Sequence, residues 1–142
     1  MVGSRAYLEP AIERLKDAGA RVSLFIDPEE DQIRTAADLG APVIELHTGT
    51  YAEAALATDK KALTESFEAL KRSAELAHAL GLEVHAGHGL TFWNVQNIAA
   101  IPEIRELNIG HFLIGEAVFM GLDGAIKEMK RLISDARTGS LH

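Results

Sequence analysis

No cysteine occurs anywhere in the 142 residues. That excludes disulfides and thiolate zinc sites, and it fits an enzyme of the reducing cytoplasm. Long hydrophobic runs are missing too. Nothing approaches the roughly 20 consecutive apolar residues that span a bilayer, so no membrane partner is expected. The amino terminus lacks the charged, apolar and small-residue regions of a secretion signal. Basic charge is scarce: 14 Lys and Arg face 21 Asp and Glu, for a net charge of −7. No broad positive face therefore invites nucleic acid. An acidic protein that holds phosphate must do so locally, with backbone amides and helix N-termini. No lysine stands at a predicted strand end, because Lys16, Lys60, Lys61, Lys71, Lys127 and Lys130 all fall in predicted helices. That weighs against Schiff-base chemistry of the barrel aldolase kind.

What remains is an ordinary globular composition, 47% hydrophobic and 25% charged, with length for one domain over residues 1–142. The apolar periodicity switches back and forth. Leu8, Ile12, Leu15 and Ala18 share a helical face, with Pro10 expected in the first turn and Gly19 as the stop. Residues 22–26 read as a buried strand ending at Asp27-Pro28, and 31–39 as a short helix stopped by Gly40. A second strand spans 42–47, and 51–58 is read as loop. A long helix covers 59–80, with Leu63, Phe67, Leu70, Ala74 and Ala77 on one side and Gly81 as its cap. The third strand is 82–86, a short helix follows at 94–100, and the fourth strand is placed at 112–114. A helical turn at 116–120 leads into a last helix at 123–134, and the tail from 135 is expected to fray.

Strands alternating with helices imply a parallel sheet with right-handed crossovers. Strand 42–47 decides between the parallel architectures. Alternation puts Val43, Glu45 and His47 on one face, and Ile44 and Leu46 on the other. A helix-covered face should not receive Glu45 and His47, since an unpaired buried carboxylate is very costly. A barrel lumen near its catalytic rim can receive them. The predicted fold class is therefore α/β: four parallel (β/α) units, half of an eight-fold TIM barrel.

The chemistry concentrates in Val84-His85-Ala86-Gly87-His88-Gly89-Leu90, where an imidazole sits between two glycines as a strand breaks into a loop. Glycines permit a sharp turn and close approach to a ligand, and histidine exchanges protons near neutrality. His88 thus reads as a general acid or base, against the plainer role of a loop histidine holding a turn. Glu45 could stabilise positive charge or fix a histidine tautomer, unless it belongs to a structural ion pair. His47, His85, His88 and His111 offer a weak metal-ligand spacing, and no metal is predicted. His78, in a helix, and His142, in the tail, read as solvated. A second corner, Ile109-Gly110-His111-Phe112-Leu113-Ile114-Gly115, repeats the glycine–histidine theme. Gly89, Gly110 and Gly115 could present free amides to a phosphate, with a short helix from Glu116 supplying a positive end. Glu116 pointing inward would oppose that.

Four collinear segments resemble one family. They are Arg21-Val22-Ser23-Leu24-Phe25-Ile26-Asp27, Ile44-Glu45-Leu46-His47-Thr48-Gly49, Ala86-Gly87-His88-Gly89-Leu90-Thr91 and Glu106-Leu107-Asn108-Ile109-Gly110-His111. Together they are similar to the pyridoxine 5′-phosphate synthases, (β/α)8-barrel enzymes of vitamin B6 biosynthesis. The resemblance implies condensation of 3-amino-2-oxopropyl phosphate with 1-deoxy-D-xylulose 5-phosphate, a ring closure rich in proton transfers and without a cofactor. It implies His88 as proton donor and Glu45 as transition-state stabiliser. Gly89, Gly110 and His111 are implied to hold the aminoketone phosphate. Only the carboxyl-terminal half of the family's pattern is matched. The first four strands have no counterpart here, nor do a histidine and a glutamate that act as bases. Met1-Val2-Gly3-Ser4 is read as a start placed in a loop before a helix, consistent with a truncated or engineered half-barrel. Such a chain is expected to bind phosphorylated small molecules without completing ring closure. A non-catalytic phosphate-binding half-barrel is the alternative. Open strand edges predict a homo-oligomer.

Overall fold

The computed structural model describes residues 5–139. The expectations for Met1–Ser4 and for His142 lie outside the described residues. Eleven elements follow in order: α1 (Arg5–Asp17), β1 (Ser23–Ile26), α2 (Glu30–Asp38), β2 (Val43–His47), α3 (Gly49–Leu56), α4 (Lys60–Ala79), β3 (Glu83–Gly87), α5 (Val95–Ala99), β4 (Ile104–Asn108), α6 (His111–Met120) and α7 (Leu122–Thr138). The four strands are parallel and lie in chain order, β1-β2-β3-β4. A strand–helix alternation with each strand beside its successor is half of a (β/α)8 barrel.

One face of the sheet builds the main core. Ile44, Leu46, Val84, Ala86 and Ile104 are fully buried there, packed with Ile33 and Ala36 of α2, Leu70, Ala74 and Ala77 of α4, and Ile98 of α5. These helices form because their apolar residues recur every three or four positions, and their ends are locally satisfied. Asp59 caps α4: its Oδ1 accepts from the Lys61 and Ala62 amides, both at 3.1 Å. The opposite face, which carries Phe25, Glu45, Glu106 and Asn108, has no comparable helix layer, and Phe25 is 56% exposed. β1 and β4 are the sheet's edges, with no strand beyond either among the described residues.

Four local readings of the sequence are corrected. Residues 51–58 are not loop: α3 runs through most of them, its ring of Tyr51 buried against the core. The fourth strand is Ile104–Asn108, not 112–114. A register irregularity between Val84 and His85 lets His85 pair with Glu106, so the outward apolar residues Ile104 and Leu107 are three apart. That slip erases the two-residue alternation by which a strand is recognised. Residues 112–114 instead belong to α6, and the helical turn expected at 116–120 is its second half. The segment from 135 does not fray at once. α7 continues to Thr138 and ends at Gly139 in the left-handed conformation, with Ala136 buried, Asp135 paired to Arg131 at 2.7 Å, and Arg137 donating to the Ile104 carbonyl. Pro10 lies inside α1, more than one turn beyond Arg5, and not in a first turn.

Candidate functional site

The carboxyl ends of the strands converge on a cavity of about 650 Å³ lined by Phe25, Glu45, His88, Gly89, Leu90, Thr91, Asn108, Ile109, Gly110, His111 and Phe112. Glu45, His88, Gly89, Gly110 and His111, singled out in the sequence, all line this one cavity. They arrive from three elements and the turns that follow them.

Glu45 sits at the centre of β2, opposite Phe25 on β1 and His85 on β3. Its Oε2 accepts a hydrogen bond from Asn108 Nδ2 at 2.8 Å, so a side chain two strands away holds the carboxylate. Gly87 makes this crossing possible. A Cβ there would collide with Glu45 Oε1 and lie 2.8 Å from the Asn108 carbonyl. Glu45 can therefore reach across β3 only where β3 has no side chain.

His88 follows directly. Its backbone has φ +82°, a left-handed conformation uncommon for a residue with a side chain, and Gly89 continues it at φ +79°. The turn lifts the exposed imidazole over the sheet, where its ring centroid lies 4.7 Å from that of His47 and 6.4 Å from that of Phe25. His47 Nδ1 is 3.4 Å from Asp27 Oδ1 at the end of β1. Three successive strand tips thus present a carboxylate, an imidazole and a second imidazole in a row.

The third wall is the start of α6. Gly110 occupies the N-cap without a side-chain cap, and His111 is the first helical residue. The first amides of a helix have no partner within it, and they carry the positive end of its dipole. Here they open beside the cavity. The phosphate-binding corner expected at Gly115 and Glu116 is therefore displaced. Gly115 lies in the middle of α6, where its amide belongs to the helix ladder, and Glu116 is more than a turn from the N-terminus. The objection raised by Glu116 falls with that displacement.

His85 belongs elsewhere. It is buried, with Nε2 2.8 Å from Glu83 Oε1 and Nδ1 3.6 Å from Glu106 Oε1. Arg21 completes the row at 2.6 Å from Glu83 Oε2. The hydrogen bond from His85, and then that from Arg21, holds the Glu83 carboxyl below its ordinary range. His85 and Glu106 share the register level of Glu45, and Glu83 sits one layer deeper, opposite Val43, toward the amino ends of the strands. Among the described residues no group of three or more His, Asp or Glu gathers closely enough to hold a metal ion. No described helix is long and apolar enough to cross a membrane. All six lysines lie on helices, away from the strand tips.

Sequence reasoning passed over Phe25, Asn108 and Thr91 as site residues. Asn108 was hidden by the misplaced fourth strand. Phe25 reads as core in a buried strand, and only the open face reveals it.

A half-barrel with imidazoles, a carboxylate and a helix N-terminus at its carboxyl-terminal face is the arrangement found in (β/α)-barrel enzymes acting on phosphorylated substrates. Comparison with known proteins makes this specific. The family described as "Pyridoxal phosphate biosynthesis protein PdxJ" matches residues 1–135. Proteins named pyridoxine 5′-phosphate synthase are similar: that of Caulobacter vibrioides (strain NA1000 / CB15N) is 56% identical over 137 residues, covering 96% of this chain and 54% of the relative. That of Magnetococcus marinus is 52% identical over 136 residues, covering 96% and 55%. That of Gluconobacter oxydans is 54% identical over 134 residues, covering 94% and 54%. The chain belongs to the PdxJ family. It spans about half the length of the curated relatives it matches.

Proposed function

We propose that this chain carries the aminoketone-phosphate side of a pyridoxine 5′-phosphate synthase site, on a single half-barrel domain. In this reading the amides of Gly89, Gly110 and His111 hold the phosphate of 3-amino-2-oxopropyl phosphate. His88 donates a proton at the reacting centre, and Glu45, fixed by Asn108, stabilises positive charge that develops beside it. The observation that carries the reading is the meeting of Glu45, His88 and the uncapped start of α6 around one cavity. No cofactor enters the scheme. A cytoplasmic setting accords with the absence of cysteine.

The two bases that the resemblance requires lie in the half of the family pattern without a counterpart here. The isolated chain therefore binds the aminoketone phosphate and does not complete ring closure with 1-deoxy-D-xylulose 5-phosphate. Calorimetric titration with the aminoketone phosphate, alongside a turnover assay on the pure chain, tests both halves of this statement. Absence of binding removes the phosphate site, and turnover at the rate of a full-length synthase removes the requirement for the missing bases. His88→Ala separates the readings further, since a non-catalytic phosphate-binding half-barrel would need no imidazole there.

The reading also includes a homo-oligomer. Two open strand edges, a bare sheet face and α6, none of whose residues is buried although it carries Ile114, Val118 and Phe119, favour association with a second copy. Sedimentation equilibrium at micromolar concentration is expected to show a dimer or larger species, and a stable monomer would remove this part of the proposal.

A further inference from the structure

Thr48 has no place in the reading so far, yet it is the buried polar side chain nearest the site's most unusual backbone. It is fully buried at the end of β2, immediately after His47. Its Oγ1 lies 2.6 Å from the His88 carbonyl oxygen and 2.8 Å from that of Gly87. The Thr48 amide donates to the same Gly87 oxygen at 2.9 Å. A hydroxyl has one proton to give. With the Gly87 carbonyl already served by the amide, that proton is best directed to His88, the closer of the two acceptors.

We propose that Thr48 is a positioning residue, whose hydroxyl clamps the His88 carbonyl and thereby holds residue 88 in its left-handed conformation over the cavity. The inference rests on the reading of His88 as the proton donor. β3 ends at Gly87, so the His88 carbonyl has left the sheet ladder and needs another donor. A residue with a side chain persists at positive φ only where its surroundings over-determine it. Here a buried hydroxyl from the neighbouring strand fixes the carbonyl end of residue 88. That same peptide unit carries the Gly89 amide toward the phosphate corner. Loss of the clamp would therefore move the imidazole and that amide together. Serine can replace the hydroxyl, whereas valine copies the shape and cannot.

The test uses this chain with Thr48→Val and Thr48→Ser, and two readouts. The first is the three-bond amide-to-Hα coupling of His88 by nuclear magnetic resonance, which reports φ at that residue. The second is the Kd for inorganic phosphate. Thr48→Val is expected to change the coupling and to weaken phosphate binding about tenfold, the size of one lost buried hydrogen bond, while Thr48→Ser retains both. An unchanged coupling in Thr48→Val overturns the proposal. So does a serine variant as impaired as the valine one, or a changed coupling with phosphate binding intact. Should the valine variant not fold, Thr48→Ala removes the same hydroxyl without adding bulk and is read against serine in the same way. Failure of the unaltered chain to bind phosphate would sink the functional reading instead, and the His88 coupling alone then decides the role of Thr48.

Discussion

The two faces of the sheet are made from the same strands and obey different rules. On the helix-covered face, Ile44, Leu46, Val84 and Ile104 are wholly shielded from water. On the open face, one residue along in each strand, Phe25 stays exposed, and Glu45 and Asn108 bond each other at 2.8 Å across Gly87. Apolar burial stabilises in proportion to the area removed from water, and only the first face removes much of it. The second face holds polar groups in fixed positions and gains little stability from them. Stability and chemistry are thus divided by the strand's two-residue alternation.

Substitutions can break that comparison. The largest effect on stability is expected from Leu46→Ala, which empties a fully buried position and should cost about 2–5 kcal/mol in urea unfolding. A loss below ~1 kcal/mol would show that the helix-covered face is not the core that holds the fold. Next comes Tyr51→Phe. The phenol donates to the Asn94 carbonyl at 2.8 Å, and burial pushes its pKa above the ordinary value. The variant leaves that carbonyl unpaired and should cost about 1–3 kcal/mol near neutral pH. Because the folded state holds the proton more tightly, the contribution is complete below about pH 10 and declines as pH rises beyond it. The stability gap between the two proteins should therefore narrow under alkali, and a gap independent of pH would contradict the assignment.

Glu83→Gln probes the deep layer of the open face. The folded carboxyl is held low by His85 and Arg21, so its contribution is present above the ordinary carboxylate range and is lost as pH falls through the folded value. The variant should be less stable than the parent near neutrality, and the two should converge only as the pH falls below the ordinary carboxylate range and through the lowered folded value. A difference that persists in acid would rule out an ionic origin. The smallest effect is expected from Phe25→Ser. This position is 56% exposed, and its replacement should change stability by less than about 1 kcal/mol. A larger loss would mean that something covers the open face in solution, as the proposed oligomer requires, and repeating the measurement at several protein concentrations would reveal it.

The division between faces was legible in the sequence at β2, where Val43-Ile44-Glu45-Leu46-His47 announces both the core side and the polar side. It was not legible at β4. There the register slip spaces Ile104 and Leu107 like helix residues, while the apolar run that follows mimics a strand. α3 was missed for a related reason, since Gly49-Thr50 signals a turn and the alanine-rich stretch behind it has a weak apolar stripe. The residues chosen for their chemistry nonetheless gather at one cavity, because glycine–histidine corners mark strand ends whichever element comes next. What escaped were partners set by long-range register: Asn108 on Glu45, and Thr48 beneath His88. A hydrogen bond between residues 63 apart leaves no local trace in a sequence.

The unbroken strand order β1-β2-β3-β4 has a consequence for how the molecule assembles. Every strand finds its partner in the next one to leave the ribosome, so each closure spans a single strand–helix unit. The entropic cost of joining distant segments grows with the length of the loop that must close, and chains rich in near-neighbour contacts fold fast. Growth by successive addition lets a hydrophobic face consolidate without waiting for a ring to shut.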